Sequence, residues 1–172
     1  YDPDRVKDAD FKTAEKMQSN VRFFPFIELM LGFNLYSSFS TLFMQANGYT
    51  LGFISVIFAV LAPVSFVSSG LCGFIGDKIS KRSLMVFSLM LHTLGGIFFV
   101  MSKFSPVLLA ASQILPVIGI AGLGVSMSPF LMGSLEKLND KESFKKIYGS
   151  NTALFWIIMS ISSLLGGALL LV

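Results

Sequence analysis

Charge is what this sequence has least of. Lys, Arg, Asp and Glu together make up 13% of 172 residues, where a soluble domain carries roughly a quarter. The few charges are also segregated. Five basic and five acidic residues precede Phe23, and nearly all the rest fall between Asp77 and Arg82 or between Glu136 and Lys146. A soluble core of this size could not bury the intervening apolar stretches, whereas lipid removes the need to bury them. Cys72 is the one cysteine, which excludes an internal disulfide. The N-terminal residues 1–20 are of mixed charge with no apolar h-region, so no signal peptide is read there. No metal-ligand cluster, nucleophile elbow, phosphate loop or dinucleotide fingerprint occurs, and an enzyme and a cofactor are not expected. The net charge of +3 comes from loops between apolar runs and is no nucleic-acid signal.

What is present is a series of five apolar runs, 23–44, 51–76, 83–101, 106–131 and 152–172. Each is close to or beyond the roughly 20 residues that a helix needs to cross hydrocarbon. The expected fold class is an all-α, multi-pass, polytopic membrane protein: a segment 1–22 followed by a helical bundle over 23–172. Pro63 interrupts the second run, but a membrane helix tolerates proline where neighbours satisfy the freed carbonyl, so one kinked helix is expected. Residues 134–146 are polar and could form a surface helix. The chain starts at Tyr1 and stops in an apolar Leu-Leu-Leu-Val, which reads as truncation of a longer protein.

Loop charge gives the orientation. Arg5, Lys7, Lys12, Lys16 and Arg22 precede the first run; Lys78, Lys81 and Arg82 follow the second; Lys137, Lys141, Lys145 and Lys146 follow the fourth. The alternate loops offer only the uncharged 45–50 and Lys103. The positive-inside rule then places the N-terminus in the cytoplasm; it does not say which membrane is spanned.

The connection between the second and third runs is the most specific segment: Gly73-Phe74-Ile75-Gly76-Asp77-Lys78-Ile79-Ser80-Lys81-Arg82. Gly70, Gly73 and Gly76 recur every three residues and would let a neighbouring helix approach closely. Asp77 falls at a helix C-terminus, where the dipole disfavours a carboxylate by a few tenths to about 1 kcal/mol, so a compensating partner is expected. Lys81 and Arg82 are placed to meet lipid phosphates or the loop after the fourth span.

This stretch resembles the signature loop of the major facilitator superfamily, Gly-x-x-(Ala/Gly)-Asp-(Arg/Lys)-x-Gly-(Arg/Lys)-(Arg/Lys), at Gly73, Gly76, Asp77, Lys78, Lys81 and Arg82. Ser80 stands where the pattern has glycine, and serine resists positive φ, so the resemblance leaves the turn itself open. The position between helices two and three, the short loops and the longer basic loop after helix four agree with that family. The resemblance implies twelve helices in two halves built of inverted repeats, of which this chain would supply five. The missing C-terminal half is then its partner, and Asp77 contacts that half to stabilise one access state. The activity implied is secondary transport of a small organic solute by alternating access, with membrane lipid as the surroundings. The alternative is a non-transporting membrane subunit or receptor with the same fold. Neither an arginine pattern in span four nor the glycine-proline pattern of drug antiporters in span five is present.

Candidate site residues follow from intramembrane polarity. Glu28 is the one acid inside an expected span. Such acids tend to face protein or water and to carry protons, but Arg22 lies only about 9 Å away along a helix, so a coupling residue and an interfacial acid both stand open. Asn34, Ser37, Ser38 and Thr41 share a helical face and suit either a substrate cavity or helix packing; the family's use of helices one and four favours the cavity. Gln113 could face substrate or bond a neighbouring backbone. Gly119, Gly122 and Gly124 read as packing positions and Pro116 as a kink. His92 reads as a neutral histidine hydrogen-bonded within the bundle rather than a proton relay. Trp156 reads as an interfacial belt residue. The expected topology is checked by a single cysteine: Ser80→Cys in intact cells should resist a membrane-impermeant maleimide and react after permeabilisation, and labelling from outside would reverse the orientation.

Overall fold

The computed structural model describes residues 3–32 and 36–168, with the side chains of all of these except 3–12, 36–39 and 167. Among them the chain is helical nearly throughout and contains no strand. The order is α1 (Pro3–Gly32), α2 (Tyr36–Ala46), α3 (Leu51–Lys78), α4 (Lys81–Met101), a 3-10 turn (Ser102–Phe104), α5 (Pro106–Lys137) and α6 (Ser143–Ala168). Four helices are long and apolar enough to cross a membrane: α3, α4 with its 3-10 turn, α5 and α6. In the most apolar window of α3 only 17% of residues are buried. Phe66, Phe104, Val107 and Leu164 are each more than 70% exposed. Apolar surface so continuous marks a lipid-facing exterior, and the chain is a multi-pass membrane protein.

The first expected span has a different form. Helix α1 starts twenty residues before position 23 and runs through Pro25 to Gly32; α2 then covers Tyr36–Ala46, and residues 33–35 lie outside those described. The part of α1 after Arg22 amounts to ten residues, about 15 Å of helix, and it carries Glu28. Neither α1 nor α2 alone is among the four membrane-crossing candidates. The proposed surface helix over 134–146 is absent as such. Those residues end α5, turn at 138–142 and begin α6.

The helix ends are chemically defined. At the end of α2, Gly48 takes φ +86°, its N–H donates to Gln45 O at 2.9 Å and the Tyr49 N–H donates to Met44 O at 3.1 Å. Asn139 makes the same closure after α5: φ is +55°, with Asn139 N donating to Glu136 O and Asp140 N to Leu135 O. This paired pattern satisfies carbonyls that a helix end would otherwise leave bare. Thr50 caps α3 by accepting from Phe53 N at 3.3 Å. Pro106 opens α5, where its missing N–H costs nothing. Helices α3 and α5 continue through Pro63, Pro116 and Pro129.

Two compact units are present. One comprises Ser40–Pro129. At one end of it Met44, Ile54, Ile57 and Leu109 form a buried cluster with Tyr49 against it, and the Tyr49 hydroxyl donates to Ser102 O at 2.7 Å. Leu84, Met85, Phe99, Leu123 and Met127 are buried elsewhere in it, and small residues make its closest helix contacts. A Cβ on Gly119 would lie 2.6 Å from Ser88 O and 3.1 Å from His92 N. One on Gly122 would strike the Ser88 hydroxyl and sit 3.5 Å from Cys72 Sγ, and one on Gly95 would strike the Pro116 ring. Gly124 faces open space, contrary to its expected packing role. On α3 the expected glycine stripe is realised only at Gly76, since nothing lies within 4 Å of a Cβ on Gly70 or Gly73. The reason is angular: at 100° per residue a three-residue repeat drifts 60° per step, while Ser68, Cys72 and Gly76, four apart, hold one buried face. The second unit pairs α1 with α6, where Gly32 admits Phe155 O to 3.0 Å of its Cβ position.

Gly119→Ala should lower the melting temperature of the detergent-solubilised protein, by an amount corresponding to about 1–3 kcal/mol of overpacking, whereas Gly70→Ala should leave it unchanged. Equal behaviour of the two variants in a thermal melt would remove the packing role of Gly119.

Candidate functional site

The residues of the α3–α4 connection are brought together by two abutting helix ends. Helix α3 closes at Ile79, whose N–H donates to Ile75 O at 3.0 Å. Ser80 follows with φ −63° and ψ 137° and is the N-cap of α4; its hydroxyl accepts from Ser83 N at 3.1 Å and pairs with the Ser83 hydroxyl at 2.7 Å. No positive φ is needed here, so serine is not a strained replacement for glycine. It supplies a cap that glycine lacks.

Lys81 ties the connection to α3. Its ammonium donates to Gly76 O at 2.6 Å, neutralising one of the bare carbonyls at the negative end of the helix. The same ammonium lies 3.5 Å from Asp77 Oδ1, the compensating partner that a carboxylate at a helix C-terminus calls for. That pair is exposed, with the Asp77 side chain 84% accessible, and exposed pairs contribute at most about 1 kcal/mol. Asp77 therefore keeps most of its coordination free for a further partner. Lys78 Nζ lies 4.0 Å above the Phe74 ring. Gly76 is the contact point beneath the connection: its Cβ position is 3.0 Å from Leu84 Cδ2, 3.5 Å from Lys81 Nζ and 3.6 Å from Val125 Cγ1. Gly73 has no such contact.

The other candidates fall in separate units or outside the described side chains. Glu28 is buried at 9% exposure in the unit of α1 and α6. Thr41 is half-buried and Gln113 buried, both in the Ser40–Pro129 unit. Gln113 Nε2 donates to Ser112 Oγ at 3.2 Å, and Ser112 donates to Leu109 O at 2.7 Å, so the amide is engaged by its own helix. Asn34 lies outside the described residues. Ser37 and Ser38 belong to α2, with side chains outside those described. The sequence reads His92 as hydrogen-bonded within the bundle; its Nδ1 is buried without a hydrogen-bond partner among the described residues. Trp156 is 59% exposed and faces outward from α6.

Two polar groups on α6 are buried without a hydrogen-bond partner among the described residues; Asn151 stands where the sequence places it, near the start of the fifth apolar run, and the sequence does not single out Ser162. Asn151, 4% exposed, has an unpartnered Nδ2, and the fully buried Ser162 hydroxyl is also unpartnered. Both lie on α6, eleven residues apart and so 20° apart on the helix. That spacing was readable. The capping role of Lys81 was not, because it depends on the short turn at 79–80.

Comparison with protein-family profiles, with characterised proteins and with solved structures gives no match to this chain.

The N-cap assignment has a distinguishing signature. Ser80→Ala should cost about 1 kcal/mol and Ser80→Gly only a few tenths, measured as thermal stability in detergent. A Ser80→Gly variant more stable than the wild type would show instead that the position wants glycine for its backbone.

Proposed function

We propose that this chain is part of a secondary active transporter that moves a small organic solute across a membrane by alternating access, with proton coupling at Glu28. The observation that carries the reading is the α3–α4 connection. A largely uncommitted carboxylate, Asp77, is held at a helix end by a lysine that also caps that helix, in a chain of apolar helices joined by short loops. Such a carboxylate suits a contact that forms in one access state and breaks in the other. Its likeness to the major facilitator loop supplies the expected partner, a second helical half with N-terminus and basic loops in the cytoplasm. Glu28 supports coupling because a buried carboxylate in hydrocarbon is expensive, about 2.5–3.5 kcal/mol for an acid at mid-membrane on insertion scales, and persists where protonation serves a cycle.

The test uses the full-length protein in proteoliposomes with a substrate found by uptake screening. Asp77→Asn should cut the transport rate on the order of tenfold, about 1.4 kcal/mol of barrier, at unchanged yield and melting temperature. Glu28→Gln should abolish proton-driven accumulation while downhill exchange survives. Wild-type rates in Asp77→Asn would remove the gating role, and unchanged accumulation in Glu28→Gln would remove the coupling role. Substrate binding without flux in the wild type would favour a membrane receptor or subunit.

A further inference from the structure

A cleft of about 210 Å³ lies between α3 and α4 inside the Ser40–Pro129 unit. Its floor includes Cys72, Leu84 and Ser88, all buried, and its walls include Ile75, Ile79 and Phe87, which are exposed. Since the exposed faces of α3 and α4 are the lipid-facing ones, the cleft opens toward the bilayer and not toward water. It ends at the α3–α4 connection, because Ile79 is a lining residue and Lys78, Lys81 and Arg82 flank it in the chain.

The charge at that end is unbalanced. Lys78, Lys81 and Arg82 face one acid, Asp77, and the first turn of α4 contains no acidic residue. Lys81 is committed to Gly76 O and Asp77. Arg82 is exposed and makes no ion pair or hydrogen bond among the described residues. It also sits at the positive end of the α4 dipole, which disfavours a cation unless an anion is nearby.

We propose that this cleft binds an anionic phospholipid, with one acyl chain lying between α3 and α4 and the headgroup phosphate held by Arg82 and Lys78. An apolar slot ending at a surplus of basic side chains is complementary to that molecule along its whole length. A free phosphate would use only the basic end, and a zwitterionic lipid would bring to the basic end a phosphate whose charge its own headgroup cation offsets. Basic positions beside membrane helices attract anionic headgroups by about 1 kcal/mol per residue, roughly a fivefold change in occupancy. This inference needs the chain to be in a membrane but does not depend on transport.

Cys72, on the floor of the cleft, is the reporter. The full-length protein is placed in vesicles of phosphatidylcholine with or without phosphatidylglycerol, and alkylation of Cys72 by N-ethylmaleimide is followed on its own peptide by mass spectrometry. Alkylation should be severalfold slower with phosphatidylglycerol, and the paired variant Lys78→Gln, Arg82→Gln should return it to the phosphatidylcholine rate. Inorganic phosphate added to phosphatidylcholine vesicles should give no protection. Equal rates in the two vesicles, protection that survives in the paired variant, or protection by inorganic phosphate alone would each overturn the proposal. If Cys72 is inert in both vesicles, a phosphatidylglycerol with an acyl-chain diazirine replaces it. Crosslinks to α3 and α4 peptides, lost in the paired variant, are then expected, and their absence overturns the assignment.

Discussion

Close approach of helix backbones is the constraint on which the Ser40–Pro129 unit depends. Lipid tails are as apolar as leucine, so membrane helices gain little from the hydrophobic effect when they associate. What remains is dispersion between surfaces that fit, and fit requires small residues. Gly119 lets the Ser88 carbonyl into the space a Cβ would occupy, Gly122 admits the Ser88 hydroxyl and Cys72, and Gly95 receives the ring of Pro116. The closest helix contacts are therefore defined by what is missing from side chains, and many large apolar residues, Phe66, Phe87 and Val107 among them, look outward. A water-soluble bundle of this length would invert that arrangement.

The same principle limits where polar groups can go. Three buried serines give their hydroxyls to their own helix: Ser112 to Leu109 O, Ser126 to Gly122 O and Ser134 to Phe130 O. These local bonds satisfy the hydroxyl and add nothing between helices. Among the described residues the buried polar side-chain atoms left over are His92 Nδ1, Ser102 Oγ, Asn151 Nδ2 and Ser162 Oγ. Unpartnered atoms in a dry interior carry a desolvation cost of about 1–3 kcal/mol each, so each position invites water, a ligand or a further helix.

Helix placement was legible in the sequence to the extent that lipid dictates it. The starts of α3 and α5 fall where apolar runs begin, and α4 differs from its run by two residues. The ends of α5 and the start of α6 were not legible, because Ser134 to Lys137 and Ser143 to Asn151 remain helical after the apolar run is over. Hydropathy marks where lipid is, not where a helix stops; the stop after α5 is set by Asn139 at positive φ. The glycine repeat on α3 misled for a related reason, since a period of three does not hold a helical face and a period of four does. In the candidate site, the helix dipole called for a partner to Asp77, but not for Lys81 in particular, which was expected to meet lipid phosphates or the loop after the fourth span. The cap made by Ser80 was not legible, because a family pattern with glycine at that position points to a left-handed turn.

Gly76 joins these strands of argument. It is the last member of the buried Ser68–Cys72–Gly76 face, so it belongs to the packing of α3. It also lies under Leu84 of α4 and Val125 of α5, and its carbonyl is the acceptor that holds Lys81. One residue thus sets the separation of three helices and anchors the ammonium that pairs with Asp77. A Cβ there would press on Leu84 Cδ2, which would have to give by a few tenths of an ångström. Close packing transmits such a displacement instead of absorbing it. The backbone of the connection is therefore tied to the α3–α4–α5 packing through Gly76 and Lys81, while the exposed Asp77 carboxylate can take a further partner without breaking the Lys81 cap.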